Sequence, residues 1–389
     1  MNTAELPLDY KQFEKLAGIQ QPFCVSIYLP MYKSGKEQNE GLGPAQLKSA
    51  LHQVEKELIA QGMSGPEIKS YVAPAKELIT DLSFWRNPSE GVAIYLNQKN
   101  GVSIFKTPLK HSPLVYVNDH FYLVPILTLF ESDNRVFLLQ LSQDYVKLAR
   151  ADKYTFEELN IDEFIPSQLE ETVGFDYKQK MLQFRTGHAV HGAGSFHGHG
   201  EGKDDDQKEI LSFFREIDKN IRRILKPQNA TLIIACVDEL FPLYKKANTF
   251  KNLYPAHISG DPESIDKQRL QSEFHKLIHT INTGIKNDLV GRYTNLVHTP
   301  KTSHQISEIV PAAIDGRIEI LFLRREDMVF GTYNVKNKCV ILDADSTPRN
   351  QCLVNLAAVQ TILQGGKVYN METDQMPEAG RPLNALHRY

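Results

Sequence analysis

The chain has 389 residues, 41% of them hydrophobic and 23% charged, with a formal net charge of −3 at pH 7. These are the values of an ordinary globular protein of about two to four domains, at ~100–200 residues each. They exclude a global basic field, so nucleic acid has to be met by local patches, and no apolar run approaches the ~20 residues that cross a bilayer.

Four cysteines, Cys24, Cys236, Cys339 and Cys352, are scattered without the spacing of a disulfide framework or a zinc site. Cys24, Cys236 and Cys339 sit in or beside apolar runs, as small buried residues do. The opening MNTAELPLDYKQFEKLAG lacks the basic-then-apolar order of a secretory signal. A cytoplasmic location, with no membrane and no DNA partner, is the expectation.

Residues 1–125 read as a first α/β block. Pro22–Pro30 is rich in β-branched and aromatic residues and bounded by prolines, which predicts a buried strand. A helical pattern follows from about Pro44 to Leu82, broken near the run GMSGPE. In GVAIYLNQKNGVSIFKTP two strand-like runs flank Asn100-Gly101, where glycine supplies the positive φ of a tight hairpin.

The second block, residues 126–226, opens with a strand, a turn at Gln143-Asp144 and a second strand. Asp144 and Tyr145 read as turn chemistry. The block closes on its plainest helix, where Ile210, Phe213, Phe214, Ile217, Ile221, Ile224 and Leu225 recur at steps of three and four. Asp204–Asp206 suit the positive end of that helix, Arg222, Arg223 and Lys226 its negative end, and Pro227 stops it.

The third block, residues 227–389, starts on the continuous apolar run of Ala230–Val237, expected as a strand buried on both faces. Helices are predicted near Glu263–Leu289 and Ser303–Ile314, the second closed by Gly316. RIEILFLRRE and KCVILDAD read as strands, and the tail as a helix, a Gly365-Gly366 exit and another strand. Strands alternating with helices predict an α/β protein of three consecutive α/β domains.

The stretch Gly187–Gln207 departs from all of this. It holds six glycines (187, 192, 194, 198, 200 and 202) and four histidines (188, 191, 197 and 199) directly before the helix. Three readings are open: a solvated surface loop, a metal site, or a finger that orders on another molecule. His197-Gly198-His199-Gly200-Glu201 offers ligands, but a glycine-rich loop does not preorganise them, and no metal or cofactor is expected. From Thr186 to Gly200 there is no charged side chain, which suits insertion among phosphates, and the histidines can donate to phosphate or act as acid and base.

Basic and aromatic residues interleave at Lys245, Lys246, Lys251, Arg292 and Lys301 with Tyr244, Tyr254 and Tyr293, as on RNA-binding surfaces or on plain solvated faces. Arg324 and Arg325, followed at once by Glu326 and Asp327, read as a local ion pair. His275 and His279, at i and i+4, lack a carboxylate that completes a metal signature, and read as exposed helix residues. There is no Walker loop, dinucleotide fingerprint or Ser-His-Asp context.

The order and spacing of RVFLLQLSQDYVKLARADKY, the Gly/His loop with DDDQKEILSFFREIDKNI, IIACVDELFPLYKKANTF and the tail QGGKVYNMETDQMPEAGRPLNALHRY resemble the bacterial archaeo-eukaryotic release factors. These are relatives of Pelota and of the archaeal and eukaryotic class-one release factor. The resemblance covers roughly the last two thirds of the chain. It implies a sheet-plus-helix middle domain carrying a long loop over 187–202, and a last domain shaped as the α/β/α sandwich of kink-turn-binding ribosomal proteins. Residues 1–125 resemble the codon-reading domain poorly, and its Asn-Ile-Lys-Ser-type motif is not visible.

The function so implied is a ribosome-associated translation factor that binds the A site in ribosome rescue or hibernation. Its partners would be rRNA and the tRNA acceptor end, with a translational GTPase. The RNA-binding set would be Gly187, His188, His191, Gly192, Gly194, His197, Gly198, His199 and Gly200, joined by Lys245 and Lys246. The Gly-Gly-Gln motif that supports peptidyl-tRNA hydrolysis in release factors is missing here. Gln207 falls after the aspartates, on the expected first helical turn. If the protein is an enzyme, it is a peptidyl-tRNA ester hydrolase with His197, His199 or Gln207 as catalytic candidates. A stress-related binding protein that does not act on the ribosome is the remaining alternative.

Overall fold

The computed structural model describes residues 8–131, 136–143, 145–151, 156–161, 201–225 and 230–389. The chain is α/β, as its pattern predicts, and divides into two compact units: residues 132–285, and a second unit made of 1–131 together with 286–389.

The N-terminal part contributes α1 (Tyr10–Ala17), β1 (Gln20–Pro30), α2 (Leu42–Ala60), α3 (Gly65–Thr80), β2 (Gly91–Asn97), β3 (Gly101–Thr107) and β4 (Leu114–His120). The strands form an antiparallel sheet in the order β3-β2-β1-β4. Alternation along β1 sends Val25, Ile27 and Leu29 toward α2 and α3, and Cys24 and Tyr28 to the other face. The helices break where the sequence does. The Glu67 carboxylate accepts from the backbone N–H and the hydroxyl of Ser64 at the start of α3. The β2–β3 hairpin closes as predicted, with Gly101 at φ 71° and the Asn97 side chain accepting from the N–H groups of Lys99 and Asn100.

The middle unit contains β5 (Val136–Leu141), β6 (Val146–Ala151), β7 (Phe156–Leu159), α4 (Glu201–Leu225), β8 (Thr231–Cys236), α5 (Leu240–Ala247), β9 (Leu253–Ser259) and the first part of α6 (Lys267–Leu296). Its sheet runs β7-β6-β5-β8-β9, with β5, β8 and β9 parallel and the other pairs antiparallel. Phe137, Leu139 and Leu141 face α4 and α5, while Val136 and Leu138 face Leu270, Phe274 and Ile278 of α6. Helices therefore cover both faces, which is why β8 reads as one continuous apolar run.

The C-terminal part adds β10 (Thr302–Ser303), α7 (Ile306–Ile314), β11 (Ile318–Arg324), β12 (Phe330–Asn334), β13 (Cys339–Asp343), β14 (Gln351–Cys352), α8 (Leu353–Leu363), β15 (Lys367–Met371) and β16 (Leu383–His387). The sheet β10-β16-β11-β15 lies between α7 and α8 on one face and the last turns of α6 on the other. Along β11, Leu321 and Leu323 take the first face and Ile320 and Phe322 the second, so the expected α/β/α layering is present. Gly316 (φ 69°) and Gly365 (φ 73°) end α7 and α8 at the predicted places.

The grouping of these layers differs from three consecutive blocks. β8 pairs with β5 from Val136↔Thr231 to Gln140↔Ala235, so the strand expected to open the third block is the centre of the middle sheet. The first and last blocks share one core: Tyr28, Tyr95, Phe121 and Leu127 pack with Val310, Leu353 and Ala357. Buried amides bind the same halves. Asn355 accepts from Leu123 N (2.7 Å) and donates to Phe121 O (3.0 Å), and Asn118 donates to Asn350 O (2.8 Å).

Candidate functional site

The described part of the expected site is α4, the helix that follows the Gly/His loop, together with α5. Residues 187–200, and with them Gly187, His188, His191, Gly192, Gly194, His197, Gly198, His199 and Gly200, lie outside the described residues. Helix α4 begins at Glu201, so Glu201 and Gly202 are helical rather than the end of a loop. Gln207 is then on the second turn, not the first, and is exposed.

Helix α4 is fixed by its apolar stripe. Ile210, Phe213, Phe214, Ile217, Ile221 and Leu225 are buried against β5, β6 and β8, each side chain contributing about 1.5–3 kcal/mol of transfer free energy. Phe214 meets the ring of Tyr244 edge-on, with centroids 5.7 Å apart. One turn on, the buried Asp218 carboxylate accepts from Thr249 N (3.1 Å) and from the Thr249 hydroxyl, to which Arg222 Nη1 also donates (2.8 Å). Asp218 Oδ1 and the Tyr244 hydroxyl, both buried, have no protein partner at hydrogen-bond distance. Burial first, and the nearby Asp218 second, push the Tyr244 phenol well above its ordinary range, so it stays neutral.

Of the interleaved basic and aromatic residues, Tyr244 and Tyr293 are core, not surface. Arg292 is held by Glu319 through Nη1 and Nη2 of its guanidinium, and Arg324 pairs with Asp327 as expected. Lys245 and Lys246 are exposed in the last turn of α5. The Lys245 ammonium stands 4.6 Å from the centroid of Phe241, whose other neighbour is the stacked imidazole of His257 at 4.3 Å. His257 Nε2 lies 2.9 Å from Asp238 Oδ1, and hydrogen bonds from Ser259 and then His257 hold the Asp238 carboxyl below its usual range.

This Lys245–Phe241–His257–Asp238 surface was not legible as a unit in the sequence, since Phe241 looks like core and His257 is isolated. The only signal was Phe241 and Lys245 at i and i+4. His275 and His279 are exposed on α6, and among the described residues no cluster of three or more histidine, cysteine or acidic side chains could hold a metal. Cys339, expected with the buried cysteines, is exposed, whereas Cys24, Cys236 and Cys352 are buried.

Of the expected RNA-binding set, the described residues place only Lys245 and Lys246. Helix α5 meets α4 at Phe214 through Tyr244, and the residues just after α5 meet it at Asp218 and Arg222 through Thr249. At about 1.5 Å per residue the lysines stand roughly 20–30 Å along α4 from Glu201, its first residue.

Residues 136–280 match the family model described as "Bacterial archaeo-eukaryotic release factor family 7". The chain is related to the archaeo-eukaryotic release factors through this segment. No curated protein matches the chain. Among solved structures, the archaeal translation termination factor aRF1 is 11% identical, with 97% of this chain and 96% of that chain covered, at a TM-score of 0.23. Pelota of Archaeoglobus fulgidus is 12% identical over 77% of this chain and 79% of its own, at 0.31. A ribosome-bound archaeal Pelota, described together with ABCE1, is 12% identical over 77% of each chain, at 0.36. Overlap at such scores carries no argument, and the relation rests on residues 136–280. In this release-factor relative the matched segment nearly coincides with the compact unit 132–285, and it encloses both the Gly/His stretch and α4.

Proposed function

We propose that this release-factor relative is a ribosome-associated translation factor that occupies the A site in rescue or hibernation without cleaving the peptidyl-tRNA ester. One observation carries the reading: the family match falls on a self-contained unit whose stiff helix is entered from an uncharged stretch with no Gly-Gly-Gln. An uncharged, glycine-rich segment on a rigid base can approach phosphate closely through its backbone. Its histidines add donors, and cations below their pKa. The partners in this reading are rRNA, the tRNA acceptor end and a translational GTPase.

The test is co-sedimentation of the purified chain with 70S particles, with and without RNase, paired with a peptidyl-tRNA hydrolysis assay. Retention on intact particles, lost after RNase and after deletion of residues 188–200, with no ester turnover, is the expected result. Turnover that disappears in His197→Ala or His199→Ala would replace the binding reading with a hydrolytic one. Absence from particles under all conditions would remove the ribosome altogether.

A further inference from the structure

The hairpin β12–β13 is unusual for what it leaves in water. Seven large apolar residues are exposed among the described residues, and three of them, Val335 (72%), Ile341 (58%) and Leu342 (59%), fall within eight positions on this hairpin. β13 is the edge of the sheet β13-β12-β14 and pairs with β12 alone, from Phe330↔Asp343 to Asn334↔Cys339. Its other edge presents free backbone N–H and C=O groups. Natural edges of this kind are guarded by lysine, proline or a bulge, yet Cys339-Val340-Ile341-Leu342-Asp343 carries none of these within the strand.

The charges lie at the two ends. Lys336 and Lys338 occupy the turn before β13, and Asp343 and Asp345 its far end. Lys338 is engaged by Asp315 (2.7 Å), and Asp343 accepts from Asn350 Nδ2 (3.0 Å). The side chains of Lys336 and Asp345 have no ion pair among the described residues. A parallel neighbour of the same sequence would set like charge beside like. An antiparallel one sets each basic turn beside the other's acidic end. The edge is thus self-complementary in hydrogen bonding, in apolar surface and in charge, which are the requirements of a two-fold contact.

We infer that β13 is the contact edge of a homodimer, joined antiparallel to β13 of a second copy into one continuous sheet. A two-fold axis through such a sheet passes at Ile341, so the two Ile341 side chains meet and each Lys336 lies beside the other copy's Asp345 end. In that register the two Cys339 residues are four positions apart along the strands, about 14 Å at ~3.4 Å per residue. The inference is independent of the ribosomal reading, because it uses no residue of the family-matched segment.

Sedimentation equilibrium of the full chain tests it. The expected result is a weight-average mass rising toward twice that of the monomer with concentration. Ile341→Lys, which sets two ammonium groups face to face at an already exposed position, leaves the melting temperature unchanged and holds the chain monomeric. Lys336→Asp and Asp345→Lys each weaken association roughly tenfold, and together restore it. A bismaleimide of matching span joins Cys339 to Cys339 in the wild type and not in Ile341→Lys; the other three cysteines are buried and do not compete. A chain that stays monomeric at every soluble concentration overturns the inference, which would leave the edge to a foreign strand. So does self-association that ignores both the Ile341 and the charge-swap variants.

Discussion

The two compact units solve the same packing problem with different materials. Residues 132–285 form a contiguous unit whose main helix and sheet are joined almost wholly by apolar side chains at regular spacing. The other unit is assembled from chain segments separated by that whole insertion, and its joint is specified by buried amides and hydroxyls. Asn355 bridges Phe121 O and Leu123 N, Asn118 donates to Asn350 O (2.8 Å), and the Tyr116 hydroxyl accepts from Cys352 N (3.2 Å). Apolar periodicity tells a chain to pack, and buried polar groups tell it which partner to choose. A unit of consecutive elements needs mainly the first instruction, and one built from distant ends needs the second.

Breaking the apolar unit should give the largest effect. Phe214 is fully buried on α4 against the Tyr244 ring, so Phe214→Ala is expected to cost about 3–5 kcal/mol. Hydrogen exchange should show the lost protection confined to peptides of residues 136–285. Protection lost equally in both units would erase the contrast drawn between them. Asn355→Ala comes next, because it strands a backbone N–H and a carbonyl that are otherwise buried and satisfied. At ~1–3 kcal/mol for each of the two orphaned groups, a loss of about 2–6 kcal/mol is expected, now in peptides from 1–131 and 286–389. The near-isosteric Asn355→Leu should be as damaging as alanine, since shape is not what the site lacks.

The same contrast explains what could be read from the letters. The stripe of α4, the break at GMSGPE, the Asn100-Gly101 hairpin and the glycine stops at 316 and 365 are local signals, and each lies where expected. Ala230–Val237 was legible as a buried strand but not as a neighbour of Val136–Leu141, because a continuous apolar run fits the centre of any sheet. Cys339 and its apolar neighbours look like core, and only the pairing of β13 with a single strand reveals an edge. The spacing predicts α6 only as far as Leu289. Gly284 and Gly291 weaken the helical pattern, but the helix carries both and ends at Leu296. Asn355 and Asn118 carry no periodic signature at all.

A pH titration sharpens the polar side of the comparison. His111 is buried, and its Nε2 lies 2.7 Å from the Thr107 hydroxyl, which donates onward to Leu109 O (3.2 Å). Burial pushes the His111 pKa down from 6.5 to about 4. The unfolded chain therefore binds the proton first as pH falls. Stability is complete above about pH 6.5, declines through the window down to about 4, and is lower by about 2 kcal/mol at pH 5 than at pH 7. His387, lowered by burial and then by Arg317, acts with the same sign. His111→Gln should flatten most of the decline measured by denaturant midpoint, leaving the His387 remainder. The middle unit's exchange protection should not follow this titration.

The smallest expected effect concerns Lys245 and Lys246, and it tests whether the family-matched unit meets RNA at one place or two. The two lysines stand roughly 20–30 Å along α4 from its first residue, Glu201, farther than a Debye length of about 8 Å at physiological salt. If both regions touch RNA, they do so as separate contacts, and separated contacts add. Lys245→Ala with Lys246→Ala should reduce the slope of log affinity against log salt by about one to two, without changing sequence preference. Combined with removal of residues 188–200, the losses in binding free energy should sum. A combined loss clearly smaller than the sum would mean that the two regions serve a single contact. An unchanged salt slope would return both lysines to the solvated surface and leave Lys245 its cation–π contact with Phe241.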